Sequence, residues 1–87
     1  MDKKEYIIID VRTREEFMGG HVAGSKNIPL LEILEHEEEI KKMGKPIIFC
    51  CVSGARSGQA TDYFKEKGVD CENGGSWLSV NFKVSQQ

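Results

Sequence analysis

The fold is decided by the stretch Ile47-Ile48-Phe49-Cys50-Cys51-Val52-Ser53-Gly54-Ala55-Arg56-Ser57. The apolar and thiol-bearing residues from Ile47 to Cys51 predict a buried strand, and a short turn that contains Gly54 follows it. From Ser57 onward the pattern becomes helical. A cysteine therefore lies at the point where a strand leads into a helix.

This position favours a reactive cysteine. The first backbone N–H groups of a helix have no partner within the helix, and the positive end of the helix dipole lies beside them. Both effects stabilise a thiolate and lower the pKa of a cysteine from its free value of about 8.5, and a cation such as Arg56 lowers it further. We therefore expect Cys51 to be a nucleophile.

The chain before and after this stretch alternates strands and helices. Residues 6–11 form a β-branched run that is typical of a central parallel strand. Thr13 and Glu16 match a capping box, so they predict the start of a short helix that ends at Gly19-Gly20. Further strands are predicted within 21–28 and at 69–72, and further helical segments at 30–43, at 57–67 and after Ser76.

The C-terminal part is expected to complete a single domain that comprises residues 1–87. Asn73-Gly74-Gly75 is predicted to turn the chain, and Ser76 is predicted to cap a final helical turn. The apolar residues expected to close the core are Trp77, Leu78, Val80 and Phe82. Residues 1–5 and 84–87 are expected to be frayed termini.

Alternating strands and helices indicate the fold class. They imply parallel pairing through right-handed crossovers, and hence a three-layer α/β domain. We expect a small, mainly parallel central sheet of about four strands, flanked by helices. Sites in such sheets lie outside the carboxyl ends of the strands. Asp10, Arg12 and Cys51 are therefore predicted to share one edge.

Composition excludes several function classes. The 87 residues are 39% hydrophobic, which suits one small domain, and the net charge of −2 gives no basic field for nucleic acid. No apolar run approaches the roughly 20 residues of a membrane span. We expect no secretory signal, because the residues before the first strand are polar. Three cysteines do not make a disulfide framework, which favours a reducing cytoplasm. Without a C-x-x-C pair, we expect no metal site.

Four motifs resemble those of a rhodanese domain. They are IDVRTREEF at 9–17, GHVAGSKNIP at 20–29, CVSGARS at 51–57, and Gly74-Gly75 with Trp77. They occur in the family's order and span nearly the whole chain. The resemblance implies a rhodanese-like fold and sulfur transfer without a cofactor. Cys51 would take a sulfane sulfur from thiosulfate or a related donor, become a persulfide, and pass the outer sulfur to cyanide or a thiol.

The resemblance also assigns the site residues. The family loop reads Cys-x-x-Gly-x-Arg-Ser, and only Cys51 as the catalytic cysteine gives Gly54, Arg56 and Ser57 their places. The implied substrate- and persulfide-binding loop consists of Val52, Ser53, Gly54, Ala55, Arg56 and Ser57. Asp10 and Arg12 are expected to support the strand ends and the loop. Cys50 is expected to be a small buried residue on the opposite face of its strand, and Cys71 a core residue.

Two loop positions leave the choice of donor open. Arg56 either binds the anionic sulfonate of the donor or is tied to a carboxylate such as Asp10. Val52 stands where classical thiosulfate sulfurtransferases often carry arginine, so thiosulfate is expected to bind weakly. The loop also lacks the pattern of mercaptopyruvate-type enzymes. His21 is expected to belong to the scaffold, because an ionised thiolate needs no general base.

Two alternative functions remain. The domain could be a non-enzymatic persulfide carrier or regulatory rhodanese module that works by docking a partner. A cysteine phosphatase or arsenate reductase fits less well, because those loops require Cys-x5-Arg and only four residues separate Cys51 from Arg56. The expected partners are a small sulfur donor, a thiol or cyanide acceptor, and a sulfur-relay protein. We expect neither nucleic acid nor a membrane as a partner, and we expect a monomer.

Overall fold

The computed structural model describes residues 5–86, and residues 1–4 and 87 lie outside the description. Its elements are β1 (Ile7–Asp10), α1 (Arg14–Met18), β2 (Lys26–Asn27), a 3-10 helix (Leu30–His36), α2 (Glu37–Lys41), β3 (Ile47–Cys51), α3 (Ala55–Glu66), β4 (Cys71–Ser76) and α4 (Trp77–Ser85). The strands form one parallel sheet in the order β2-β1-β3-β4. This confirms the predicted α/β class and the sheet of about four parallel strands.

Helices cover both faces of the sheet. Successive residues of a strand point to opposite faces, so the strands contribute to two separate buried clusters. The α3 face is covered by the 3-10 helix, α2 and α3, and its buried cluster is Ile9, Val11, Ile28, Ile33, Ile40, Ile47, Phe49, Cys51, Ala60, Phe64 and Cys71. The α4 face is covered by α4, and its buried cluster is Ile8, Val22, Ile48, Cys50 and Val80. The two neighbouring cysteines of β3 therefore lie on opposite faces, as expected.

The carboxyl edge of the sheet gathers the predicted site residues. Asp10 ends β1 and pairs in register with Cys50 of β3. Cys51 ends β3 and pairs with Ser76 of β4. Arg12 follows β1 by two residues. Asp10, Arg12 and Cys51 therefore lie at one edge, in agreement with the sequence prediction.

The last strand is longer than predicted and lies further along the chain. Asn73, Gly74 and Gly75 were expected to turn the chain, but they lie within β4. Asn73 pairs with Phe49 and Gly75 pairs with Cys50, and Gly74 lies at the irregularity between these two pairs. A Cβ on Gly74 would come within 2.6 Å of Ile48 Cγ2 and 2.7 Å of Val80 Cγ2. A glycine at this position lets α4 pack closely on the sheet, so its physical role is close approach rather than a turn.

The final helix has two different faces. Val80 is buried, and Trp77 and Val84 are partly buried against the α4 face. Leu78 and Phe82 are 61% and 64% exposed, so the prediction that they close the core is wrong. Residues four apart share one side of a helix, and this pair lies on the side turned away from the sheet.

The ends of the chain and of several elements differ slightly from expectation. Ser76 caps α4 as predicted, since its side chain accepts the N–H of Ser79, but α4 runs for nine residues rather than one turn. Val84 and Ser85, within the stretch expected to fray, belong to α4. The rest of that expectation concerns Glu5 and Gln86, which lie outside the helices and strands, and residues 1–4 and 87, which lie outside the described residues.

Elements before β4 follow the sequence closely. The capping box of Thr13 and Glu16 is confirmed. The segment at 30–43 contains a 3-10 helix followed by α2, and α3 begins at Ala55, two residues before the predicted start. No helix within residues 5–86 combines the length and the apolar composition that a bilayer span requires.

Candidate active site

Cys51 lies at the carboxyl end of β3, directly before the loop that leads into α3. Its residue is only 1% exposed. The backbone N–H of Gly54 donates to Cys51 Sγ at 3.0 Å, and Ser57 Oγ lies 3.4 Å from the same sulfur. The loop therefore wraps around the buried sulfur of Cys51 and places the Gly54 N–H against it as a hydrogen-bond donor.

These contacts make the thiol acidic. Burial opposes ionisation of Cys51, but hydrogen bonds from the Ser57 hydroxyl and from the amides of Ser57, Gly54 and Ser53 outweigh it. Together they lower the pKa of Cys51 from 9.0 to about 7. At neutral pH a substantial fraction of the residue is therefore a thiolate, the nucleophilic form of cysteine.

Gly54 gives the loop its shape. It precedes α3 with φ 101°, in the left-handed region that only glycine adopts readily. A Cβ at this position would also lie 3.3 Å from the Cα of Gly75 in β4. The glycine therefore allows both the turn at Cys51 and the contact between the loop and the neighbouring strand.

Asn73 of β4 holds the loop from the other side, and the sequence analysis did not identify it. Its Nδ2 donates to the carbonyl oxygen of Gly54 at 3.0 Å. Its Oδ1 accepts the Ser57 hydroxyl at 2.6 Å and the N–H of Gly75 at 2.9 Å. No sequence signal near residue 73 indicates this role, because it depends on β4 passing beside the loop.

Asp10 and Arg12 form a buried ion pair. Arg12 Nε lies 2.9 Å from Asp10 Oδ1, and Arg12 Nη2 lies 2.8 Å from Asp10 Oδ2, with the side chains 4% and 0% exposed. Arg12 also donates to the carbonyl oxygens of Glu16 and Gly20. Its guanidinium carbon lies 4.8 Å from the centre of the Trp77 ring. These contacts tie the end of β1 to α1, the following loop and α4, an arrangement that suits a supporting role.

Arg56 is tied to Glu16 rather than to Asp10. Its two terminal nitrogens donate to Glu16 Oε1 at 2.8 Å and to Oε2 at 3.0 Å. Glu16 also accepts the backbone N–H of Thr13 at 2.9 Å. Arg56 and then Thr13 lower the pKa of Glu16 to about 2. The carboxylate predicted only as part of a capping box thus also connects α1 to the Cys51 loop.

The remaining loop residues lie at its outer rim. Val52 is 51% exposed. Ser53 Oγ accepts the N–H of Ala55 at 3.4 Å, and both residues are exposed. The rim therefore offers an apolar side chain and small polar groups.

The other two cysteines lie in surroundings that keep them protonated. Cys50 is fully buried, and burial followed by the charge of Asp10 raises its pKa to about 12. Cys71 Sγ donates to the carbonyl oxygen of Thr61 at 3.6 Å, and burial raises its pKa. Both positions agree with the expectation of small buried residues.

His21 packs on α1. Its Nδ1 lies 2.8 Å from the carbonyl oxygen of Phe17, and its ring stacks on that of Phe17 at 3.7 Å. This placement agrees with the expectation of a scaffold residue. Within residues 5–86, no three His, Cys, Asp or Glu side chains are grouped so that they could hold a metal ion. The chemistry that this edge can perform is attack by a thiolate.

Comparisons with known proteins agree with this geometry. The family model described as a rhodanese-like domain matches residues 1–78. The uncharacterized protein YqhL of Bacillus subtilis is 39% identical over 61 residues, which cover 70% of this chain and 48% of that protein. The thiosulfate sulfurtransferase PspE of Escherichia coli is 36% identical, over 83% of this chain and 71% of PspE.

Solved structures give the same result. A rhodanese with anions from E. coli superposes with a TM-score of 0.75 at 33% identity, and the match covers 85% of this chain and 89% of that chain. The present chain spans about half the length of the Bacillus relative. Because a single family model accounts for residues 1–78, the chain belongs to the rhodanese-like domain family.

Proposed function

We propose that this protein is a sulfurtransferase in which Cys51 carries the transferred sulfur. The observation that carries the proposal is the contact of Cys51 Sγ with the Gly54 amide at 3.0 Å, in a loop that lowers the pKa of Cys51 to about 7. The thiosulfate sulfurtransferases among the relatives support this chemistry at the level of the family.

The reaction has two steps. The Cys51 thiolate attacks the outer sulfur of thiosulfate, the S–S bond of the donor breaks, and sulfite leaves with the bonding electron pair. Cyanide or a thiolate then attacks the outer sulfur of the Cys51 persulfide, and the Cys51 thiolate leaves. Backbone amides of the loop from Val52 to Ser57 would stabilise the anionic persulfide between the steps. This chemistry needs no metal or organic cofactor.

The surroundings of the loop favour weak binding of small anionic donors. Arg56 would have to exchange its bidentate contact with Glu16 for one with the sulfonate of the donor. Arg12 already makes several hydrogen bonds to Asp10 and to carbonyl oxygens. Val52, half exposed at the rim, supplies no charge. These observations support a second candidate function, a persulfide carrier that is loaded by a protein partner.

Setting and partners follow from the same proposal. The three cysteines are all free, which supports a reducing compartment such as the cytoplasm. The partners would be a donor such as thiosulfate, a thiol or cyanide acceptor, and a sulfur-relay protein. We propose that the domain acts as a monomer.

Intact-mass spectrometry of the reduced protein after thiosulfate treatment tests the proposal. We expect a gain of about 32 Da that cyanide removes as thiocyanate. The gain should be retained in Cys50→Ser, the matched control, and lost in Cys51→Ser. A gain that survives Cys51→Ser, or no gain with thiosulfate or with a protein persulfide donor, would contradict it. Loading from a protein donor with negligible cyanide turnover would select the carrier function.

A further inference from the structure

The Ser57 hydroxyl lies between two groups that compete for it. Ser57 Oγ is 3.4 Å from Cys51 Sγ and 2.6 Å from Asn73 Oδ1. A serine hydroxyl has one proton to donate and two lone pairs that accept. Ser57 can therefore donate to the sulfur or to Asn73, but not to both at once.

The surrounding contacts fix the orientation of the Asn73 carboxamide. The N–H of Gly75, 2.9 Å from Oδ1, requires an acceptor there, and the carbonyl oxygen of Gly54, 3.0 Å from Nδ2, requires a donor. Rotating the amide by a half turn would place two donors together and two acceptors together. The atom facing Ser57 is therefore an oxygen, which can accept the Ser57 proton.

This arrangement suits a protonated Cys51. While Ser57 donates to Asn73, its oxygen is free to accept the S–H of Cys51, and all three side chains are satisfied. A sulfur anion reverses the requirement, because it has no proton to donate and needs donors. The Ser57 hydroxyl can meet that need by rotating its proton from Asn73 to the sulfur. Ser57 Oγ and Asn73 Oδ1, 2.6 Å apart while they share the proton, then move apart, and Asn73 Oδ1 keeps the Gly75 N–H.

We propose that Asn73 is a positioning residue for the reactive sulfur, because it accepts the Ser57 proton while Cys51 is a thiol and releases it when the sulfur becomes an anion. Asn73 thereby competes with the sulfur for a hydrogen bond and also anchors the loop through Gly54. The extension of this role from the thiolate to the persulfide rests on the proposed function. The thiol and thiolate states do not depend on it.

The ionisable groups near the sulfur are paired or neutral, so a change in one hydrogen bond can alter the pKa of Cys51. Arg56 of α3 acts electrostatically on Cys51 but is paired with Glu16 of α1. Cys50 of β3 is held neutral by burial. Asp10 at the end of β1 is paired with Arg12.

Ser57 of α3 contacts the sulfur, and Asn73 of β4 contacts Ser57; both side chains are uncharged. After burial, which opposes ionisation, the Ser57 hydroxyl has the largest influence on the pKa of Cys51. A residue that competes for this hydroxyl should therefore alter how readily the sulfur ionises.

The pH profile of Cys51 alkylation by iodoacetamide in the full chain tests the proposal. Alkylation reports the thiolate and needs no sulfur donor, so a failure of sulfur transfer would leave this test intact. Asn73→Asp keeps the shape of the side chain and accepts the Ser57 proton more strongly, but it also loses the donor to the Gly54 carbonyl oxygen, so it is compared in two backgrounds that share this loss. We expect its midpoint to rise by about one pH unit, which slows alkylation roughly tenfold below the midpoint.

The Ser57→Ala background separates competition from simple charge repulsion. If Asn73 acts through Ser57, the shift in alkylation midpoint caused by Asn73→Asp in the Ser57→Ala background should be at most half the shift that it causes in the native chain. An equal shift in both backgrounds would overturn the proposal. Asn81→Asp, which adds the same charge at an exposed position of α4, is the matched control and should leave the midpoint unchanged.

A measurement on the native chain keeps the proposal testable if Asn73→Asp does not fold. The NMR signals of the Asn73 carboxamide should shift with pH at the midpoint of Cys51, because Oδ1 loses one of its donors there. In Ser57→Ala this shift should shrink or disappear. Carboxamide signals that stay constant while Cys51 ionises in the native chain would overturn the proposal.

Discussion

The α4 face around Cys50 and the loop around Cys51 bury two neighbouring thiols almost equally, with 0% and 1% of each residue exposed. On the α4 face, burial and the nearby Asp10 raise the pKa of Cys50 to about 12. In the loop, burial is opposed by the Ser57 hydroxyl and by three amides, and the pKa of Cys51 falls to about 7. Similar exposure therefore accompanies opposite pKa shifts, because burial dominates at Cys50, whereas donors aimed at the sulfur outweigh burial at Cys51.

Alkylation at neutral pH should show the largest difference between the two regions. Iodoacetamide is expected to modify Cys51 in the folded chain and to leave Cys50 intact, since a thiol with a pKa near 12 has a thiolate fraction of about 10⁻⁵ at pH 7. Peptide mapping identifies the modified residue. Cys51→Ser should slow native alkylation at least about 100-fold, whereas Cys50→Ser should retain the native rate. Comparable labelling of both cysteines in the folded state would contradict the difference in pKa between Cys50 and Cys51.

The stability of the fold should depend on pH with opposite signs for the two thiols. Between pH 7 and 9 the unfolded chain keeps the Cys51 proton that the folded chain has lost, so Cys51 makes stability rise with pH, by about 2–3 kcal/mol. This contribution is lost as the pH falls through 7. From pH 9 to 12 the folded chain keeps the Cys50 proton that the unfolded chain loses, so Cys50 makes stability fall.

Urea unfolding at several pH values checks both signs. Cys51→Ser should remove the rise between pH 7 and 9, and Cys50→Ser should remove part of the fall above pH 9. Identical pH slopes in the native chain and both variants would mean that folding does not perturb either thiol.

Crowding the α4 face should disturb Cys50 selectively. Gly74→Ala places a Cβ within 2.7 Å of Ile48 and Val80, and overpacking of this kind costs about 1–3 kcal/mol of the free energy of unfolding. Thermal unfolding should show the loss, and Cys50 should become easier to alkylate. Gly19→Ala is the matched control, because φ is −75° there and the nearest atom lies at an ordinary 3.5 Å. Equal destabilisation by the two variants would contradict the packing argument.

Breaking the ion pair at the loop should have the smallest effect. The Arg56 and Glu16 side chains are about one third exposed, so Arg56→Gln should destabilise the fold by about 1 kcal/mol or less. The lost cation should slow Cys51 alkylation a few-fold at neutral pH, because Arg56 favours the thiolate. Arg14→Gln breaks the more exposed pair with Glu32 and should leave the alkylation rate unchanged. A larger change in rate with Arg14→Gln would assign the effect to general surface charge.

The features that sequence could predict are local. The strand that ends at Cys51, the left-handed Gly54 and the following helix lie within a dozen residues, so their pattern indicates both the loop and its acidic thiol. The capping box spans four residues. Parallel strands and the shared edge of Asp10 and Cys51 follow from the alternation of elements.

The features that sequence could not predict join distant residues. Ser57 and Asn73 are 16 residues apart, and Glu16 and Arg56 are 40 residues apart. At Gly74-Gly75 the local turn signal was misleading, because pairing with β3 and close packing by α4 decide the conformation there. The exposure of Leu78 and Phe82 likewise depends on which side of α4 meets the sheet.

The thiolate absorbance of the folded protein as a function of pH tests the central claim most directly. The account predicts a transition with a midpoint near pH 7 that is present in the native chain and in Cys50→Ser and absent from Cys51→Ser. A first transition near pH 9, or one near pH 7 that persists in Cys51→Ser, would contradict the claim that this loop makes Cys51 the acidic nucleophile.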